Sequence, residues 1–148
     1  MITLAPATPN KPYRILFEHR PRYLYVMVQC ETTSYPIAKK YWNEILSFQH
    51  RRGYDRILID KDITNSMPVH NVVLLVSELA NSGCHDVKFA IYDRRYDAER
   101  CGFEEMVGTN RGLKVRICGT MHEAEDWLAK ELVPGALMKS NLSSRAAA

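Results

Sequence analysis

The sequence predicts an α/β domain built on a mixed, mostly parallel sheet. Short apolar segments alternate with amphipathic stretches at helical spacing, and the first two apolar segments are joined by a tight turn. The chain has 148 residues, enough to bury one core and about 70% of the unfolded surface. The predicted organisation is an irregular N-terminal lead-in over 1–12, one domain over 13–133, and a flexible C-terminal tail over 134–148.

The first two predicted strands form a hairpin. One runs from Tyr13 to about Glu18, the other from Tyr23 to Cys30, and the turn between them is His19-Arg20-Pro21-Arg22. Alternation in the second strand places Leu24, Val26, Val28 and Cys30 on one face and Tyr23, Tyr25 and Met27 on the other.

A helix and a buried strand follow. The helix spans about Tyr35–His50, with Ser34 as its N-cap, Pro36 in its first turn and Gly53 at its end. Next comes a short apolar strand, Arg56–Asp60, and then a polar loop, Lys61–Ser66.

The remaining segments continue the alternation of helix and strand. Strands four and five carry Lys and Arg at alternate positions, so we expect the four helices to lie mainly on one face and to leave the other partly open. The last helix begins with a capping box, and Trp127 lies on its apolar stripe. The segments are a helix at Pro68–Asn81, a strand at Val87–Tyr92, a helix at Tyr96–Val107, a strand at Leu113–Cys118 and a helix from Thr120, which gives the order ββαβαβαβα.

Composition excludes several functional classes. A net charge of +3 is too small to indicate a nucleic-acid-binding protein. No apolar run reaches membrane-spanning length, so we expect a soluble, cytoplasmic protein that does not insert into membranes. The four cysteines are widely spaced, which predicts reduced thiols, and Cys84-His85 has no second pair at metal-ligand spacing. We therefore expect no metal and no cofactor.

These segments resemble the STAS domain, and more closely its SpoIIAA-like branch of small bacterial proteins, over about residues 13–132. The resemblance implies a five-stranded mixed sheet and a non-enzymatic module that docks a protein partner or binds a small ligand. It depends on the strands Arg56–Asp60 and Lys88–Tyr92, on Tyr96 and Arg100 at the start of the third helix, and on the closing Glu123-Ala124-Glu125-Asp126-Trp127-Leu128.

The chain departs from the STAS antagonists at one functional position. Their phosphorylated serine lies in an Asp-Ser-Ser-Gly turn before the second helix, whereas this chain has Ser66-Met67-Pro68-Val69-His70 there. Thr64 and Ser66 lie nearby, but the resemblance does not transfer the phosphoswitch to them.

A second functional class is suggested by Asp60-Lys61-Asp62-Ile63-Thr64. An Asp-x-Asp-x-Thr run after a strand is the nucleophile motif of magnesium-dependent, haloacid-dehalogenase-like phosphatases. That chemistry also requires a later lysine and an acidic pair to hold the metal, and no such pair follows. We therefore favour a polar loop that leads into a helix, and predict no phosphatase activity and no catalytic residues.

Polar side chains are predicted to gather at the carboxyl ends of the parallel strands, where open α/β sheets bind ligands. Arg94 and Arg95 lie beside helix N-termini and could bind an anion there. The predicted ligand- or partner-binding residues are Asp60, Asp62, Thr64, Ser66, Asp93, Arg94, Arg95 and Thr120.

The open sheet face is a second candidate surface. Its aromatic and basic residues could stack on nucleic acid, but the small net charge and the lack of an RNP motif favour a homodimer interface at Tyr23, Tyr25 and Met27. Lys88, Lys114 and Arg116 would border that interface.

Overall fold

The structure is a computed structural model and describes residues 3–4 and 11–130. Within the described residues, one sheet separates two hydrophobic clusters. The predicted tail over 134–148 lies outside them.

The sheet contains the five predicted strands and one further strand at its edge. The strand order is β1-β2-β3-β4-β5-β6; β1, β2 and β3 pair antiparallel, and β3 to β6 pair parallel. The added strand lies within the lead-in, which is therefore not wholly irregular. The strands are β1 (Thr3–Leu4), β2 (Arg14–His19), β3 (Leu24–Thr32), β4 (Arg56–Asn65), β5 (Lys88–Asp93) and β6 (Lys114–Cys118).

Four helices cover the sheet, three of them on the same face. This face carries the larger core, in which Ile45 of α1 and Leu75 of α2 pack with strand residues, and Gly108 of α3 lies against Val115 of β6. Helix α4 packs on the opposite face through Ala124 and Leu128. None of these helices is long and apolar enough to cross a membrane. The helices are α1 (Tyr35–Arg52), α2 (Val69–Ala80), α3 (Ala98–Asn110) and α4 (Met121–Ala129).

The predicted caps of α1 and α4 are confirmed. The Ser34 side chain accepts a hydrogen bond from the Ile37 backbone N–H, and Gly53 ends α1 with φ of 75°. The Thr120 side chain accepts from the Glu123 backbone N–H. The prediction for α3 was wrong at its start, because Asp97 caps the helix by accepting from the Arg100 N–H, so α3 begins two residues after Tyr96.

The polar loop predicted over Lys61–Ser66 is wrong, because β4 continues to Asn65. Parallel β3 pairs with it along that length, up to Thr32 opposite Asn65. Asp60 consequently lies in the middle of a strand, opposite Met27 on β3 and Tyr92 on β5. Pairing with β3 outweighs the weak strand preference of the sequence Lys-Asp-Ile-Thr-Asn, since β5 pairs with β4 only as far as Lys61.

The second sheet face is less open than predicted, because α4 packs on it. Tyr25 and Lys88 are buried, with 9% and 2% of their surfaces exposed. The Lys88 ammonium donates to the carbonyl oxygens of Trp127 and Lys130, at 2.8 and 3.0 Å, where the last carbonyls of the helix lack intrahelical donors. It also lies 4.4 Å from the centre of the Trp127 ring.

All four cysteines are free thiols in buried positions. Burial raises the pKa of Cys118 to about 11, so its thiol stays protonated near neutral pH.

Candidate functional site

Three consecutive residues of β4 form ion pairs with the last residue of β5 and the two residues that follow it. Because side chains alternate along a strand, the middle pair lies on the face of α1–α3 and the outer two lie on the face of α4. A backbone hydrogen bond from Arg94 N to Lys61 O, at 3.1 Å, joins the same segments. The pairs are Asp60–Arg94, Lys61–Asp93 and Asp62–Arg95, with shortest N–O distances of 2.9, 3.6 and 2.7 Å.

Asp60 is the most buried member of this set, with 1% of its surface exposed. Arg94 donates to both carboxylate oxygens at 2.9 Å, from Nε to Oδ1 and from Nη2 to Oδ2. The Tyr25 hydroxyl also donates to Oδ2, at 2.5 Å. Burial and this hydrogen bond raise the pKa of Tyr25. Both oxygens of Asp60 are therefore already occupied by protein donors.

Asp62 lies two residues further along the same face, nearer to solvent. Its Oδ1 accepts from Arg95 at 2.7 Å and its Oδ2 accepts from the Gln29 amide at 3.0 Å. These two hydrogen bonds lower the pKa of Asp62 below its ordinary value of 3.8. Asp62 therefore adds stability above that value, and the contribution is lost as the pH falls through the lower pKa of the folded state.

We expect Asp62→Asn to be less stable than wild type by about 0.5–1 kcal/mol at about pH 5, and the difference to shrink towards about pH 2. Protonated aspartic acid and asparagine are both neutral, so acid removes the advantage of the carboxylate. Urea denaturation across this pH range measures the difference. Asp86→Asn is the matched control, since Asp86 is exposed and forms no ion pair within residues 11–130. A constant difference for Asp62→Asn would contradict the assigned pairing.

A cavity of about 100 Å³ lies between the sheet and helices α1–α3, on the face that these three helices cover. Most of its lining is apolar, including Trp42, Leu75, Val76 and Phe89. An engineered apolar cavity of about 150 Å³ in another protein binds benzene, so this space suits a single small apolar group.

One end of the cavity is polar. It is lined by Lys61, Ser66, Arg100 and Glu104. Asp93 forms an ion pair with Lys61. Glu104 Oε2 forms an ion pair with Arg100 Nε at 3.0 Å, but this buried oxygen accepts no hydrogen bond from the described residues. A buried carboxylate oxygen without a donor is costly, so this position favours a ligand that supplies an N–H or O–H.

A polar cleft of about 330 Å³ lies at the same end of the sheet on the opposite face. It lies around the start of β2 and the carboxyl ends of β3 and β4, and none of its lining residues belongs to α4. Its polar lining comprises Lys11, Arg14, Gln29, Glu31, Asp62, Thr64 and Arg95.

The structure divides the eight predicted site residues among different environments. Ser66 lines the cavity and Asp93 pairs with the cavity residue Lys61, whereas Asp62, Thr64 and Arg95 lie at the cleft. Asp60 and Arg94 form the buried pair. Thr120 caps α4 and makes no hydrogen bond to the other seven.

The predicted dimer surface is also changed by the structure. Tyr25 packs in the cluster beneath α4, and the Arg20 guanidinium lies 4.0 Å from the centre of its ring. Tyr23 and Met27 are half-buried against the same cluster, and the Tyr23 hydroxyl donates to Glu125 at 2.6 Å. The expectation that these three side chains project from an open face is therefore wrong. Self-association itself stays a prediction.

Several residues of the two sites escaped the sequence interpretation. Lys61 was assigned to a loop, and Arg14 and Gln29 to an ordinary hairpin. Arg100 entered the sequence analysis only as part of the family resemblance and Glu104 not at all, although their i, i+4 spacing is a signal for an ion pair. Among residues 3–4 and 11–130, no three His, Cys, Asp or Glu side chains converge in a way that could hold a metal ion.

Comparison with solved structures finds the same architecture elsewhere. A similar chain is an uncharacterised protein of the DUF3478 family from Shewanella loihica PV-4, described as having a SpoIIAA-like fold. The sequences are 14% identical, the match covers 83% of this chain and 98% of the other, and the TM-score is 0.55. No family model and no curated protein matches the chain.

The predicted SpoIIAA-like fold is thereby confirmed. An identity this low shows the fold alone, and functional arguments must come from the sites.

Proposed function

We propose that this chain is a non-enzymatic binding module of the STAS/SpoIIAA-like type. Its ligand is a small apolar molecule with one hydrogen-bond donor, held between the sheet and helices α1–α3. The observation that carries the proposal is the Glu104 carboxylate oxygen at an apolar cavity, which is buried and ion-paired with Arg100 but accepts no hydrogen bond from the described residues. A ligand N–H or O–H would satisfy that oxygen, while its apolar part would fill the cavity.

The occupied state of Asp60 supports a binding role over phosphatase chemistry. A nucleophilic carboxylate must have a free oxygen that can reach phosphorus. Arg94 and Tyr25 take both oxygens of Asp60, and the side chain has almost no access to solvent.

Binding of phenol and toluene tests the proposal, because the two rings differ chiefly in one donor. We expect phenol to bind at least about tenfold more tightly than toluene. Glu104→Gln keeps an acceptor oxygen but removes the charge, so it should reduce this preference. Chemical-shift titration locates the binding through the amides of α2 and α3.

A pair of valine variants on α2 separates the cavity from the surface. Val76→Phe fills the cavity and should abolish phenol binding, whereas Val69→Phe adds the same ring at a position that is 50% exposed and should leave binding unchanged. Equal binding by both variants would refute the cavity as the site. Magnesium-dependent hydrolysis of p-nitrophenyl phosphate that disappears in Asp60→Asn would instead establish an enzyme.

A further inference from the structure

We propose that the polar cleft on the opposite face is a second binding site, which takes a small oxyanion such as a phosphate group. The cleft is lined by Arg14, Arg95 and the hydroxyl of Thr64, together with Lys11, whose ammonium is already paired with Glu44 at 2.7 Å. This site does not depend on the cavity, which lies on the other side of the sheet.

A series of side-chain hydrogen bonds across three strands positions the guanidinium groups of Arg14 and Arg95. Arg14 on β2 donates to the side-chain amide oxygen of Gln29 on β3 at 3.5 Å, and the amide nitrogen of Gln29 donates to Asp62 on β4 at 3.0 Å. Asp62 in turn accepts from Arg95 at 2.7 Å. Gln29 and Asp62 therefore tether one guanidinium on each side of them, and part of the entropy cost of ordering both arginines is met before any ligand binds.

The side chains of the cleft offer more hydrogen-bond donors than acceptors. A guanidinium has five N–H donors, and within residues 11–130 the guanidinium groups of Arg14 and Arg95 each make one hydrogen bond. Both oxygens of Asp62 are already used, which leaves Glu31 as the other carboxylate of the lining. Donors thus outnumber acceptors, so the complementary ligand is rich in acceptors and negatively charged.

The arrangement favours an oxyanion over a simple halide. Guanidinium groups present parallel N–H donors that match two oxygens of a phosphate or carboxylate. The cleft also lies at the carboxyl ends of β3 and β4, the edge at which open α/β sheets bind ligands. Its volume of about 330 Å³ leaves room for the molecule that carries the anionic group.

Amide chemical-shift titration with inorganic phosphate and with acetate, at constant ionic strength set by chloride, tests the proposal. We expect saturable shifts at Gln29, Thr64 and Arg95 with phosphate. Arg14→Gln and Arg95→Gln should each weaken binding by at least about tenfold. Arg116→Gln removes an equal charge from an exposed position on β6 outside the cleft and should leave the affinity unchanged within about twofold.

Equal affinity for acetate would support an oxyanion site that takes carboxylates as well. Absence of saturable shifts with both anions would overturn the proposal, as would binding that Arg116→Gln weakens as much as Arg95→Gln. Neither probe contains an apolar ring or a long chain, so the result is independent of ligand binding in the cavity. Thermal melts of the variants confirm that they are folded.

Discussion

Replacing Arg94 by methionine is expected to destabilise the protein by about 3 kcal/mol. The change removes two hydrogen bonds from Asp60, a carboxylate with 1% of its surface exposed, and leaves it with the Tyr25 hydroxyl alone. A buried charge deprived of its partner is far more costly than the same charge in water. The Arg94 side chain is itself 46% exposed, so water can partly replace it, and we expect the lower end of the range for such pairs.

The neighbouring Arg95→Met provides a matched control. Arg95 has almost the same exposure, 47%, but its partner Asp62 is 18% exposed. We expect a loss of less than about 1 kcal/mol. The double variant Asp60→Asn/Arg94→Met should recover part of the loss, because it removes the unpaired charge. Urea denaturation measures all three variants. Equal losses for Arg94→Met and Arg95→Met would show that water already solvates the Asp60 carboxylate.

The second large effect is expected at Trp127, whose truncation to alanine should cost about 3 kcal/mol. The indole is half-buried on α4, packs against the cluster that contains Leu58 and Leu128, and covers the ammonium of Lys88 at 4.4 Å. Truncation would remove this packing and open a path for water to a buried lysine. Lys88 would then hold the end of α4 less firmly.

Phe103→Ala is the control for loss of an aromatic ring. Phe103 lies on α3 with 37% of its surface exposed, and we expect its truncation to cost about 1 kcal/mol or less. Chemical denaturation, followed by circular dichroism because one variant lacks a tryptophan, compares the two. An unchanged midpoint for Trp127→Ala would contradict the packing of α4 on this face.

The order of the main elements could be predicted because periodicity and capping residues agree along the chain. Ser34, Gly53 and Thr120 act locally, through hydrogen bonds and backbone angles within a few residues of themselves, and such effects are visible in sequence. The extension of β4 was not predicted because the contacts that stabilise it come from another strand. Pairing with the far end of β3 holds Ile63 and Asn65 in the sheet, and nothing in the local sequence reports that partner.

The sequence predicted which residues belong to the candidate sites better than it predicted how they are arranged. Asp62, Thr64 and Arg95 were expected together and do line one cleft. Ser66 and Asp93 lie across the sheet: Ser66 comes after the last residue of β4 and is no longer bound by the alternation of the strand, and Asp93 on β5 pairs with Lys61 on that face. Glu104 could not be identified from sequence, since the burial of its carboxylate oxygen, which accepts no hydrogen bond within residues 11–130, results from how α3 packs against the sheet.

The three consecutive ion pairs also bear on how the strands find their alignment. The apolar portions of β4 and β5 are runs of similar residues that face a core on both sides of the sheet. After a slip of one position, apolar side chains would still meet apolar side chains, so these runs alone define the register weakly. The charges make the slip costly. Shifted by one residue, Asp93 at the end of β5 would lie on the face of Asp60 and Asp62 and would no longer face Lys61. Repulsion between carboxylates would replace the attraction of the Lys61–Asp93 pair, so these charges favour the observed register of β4 and β5.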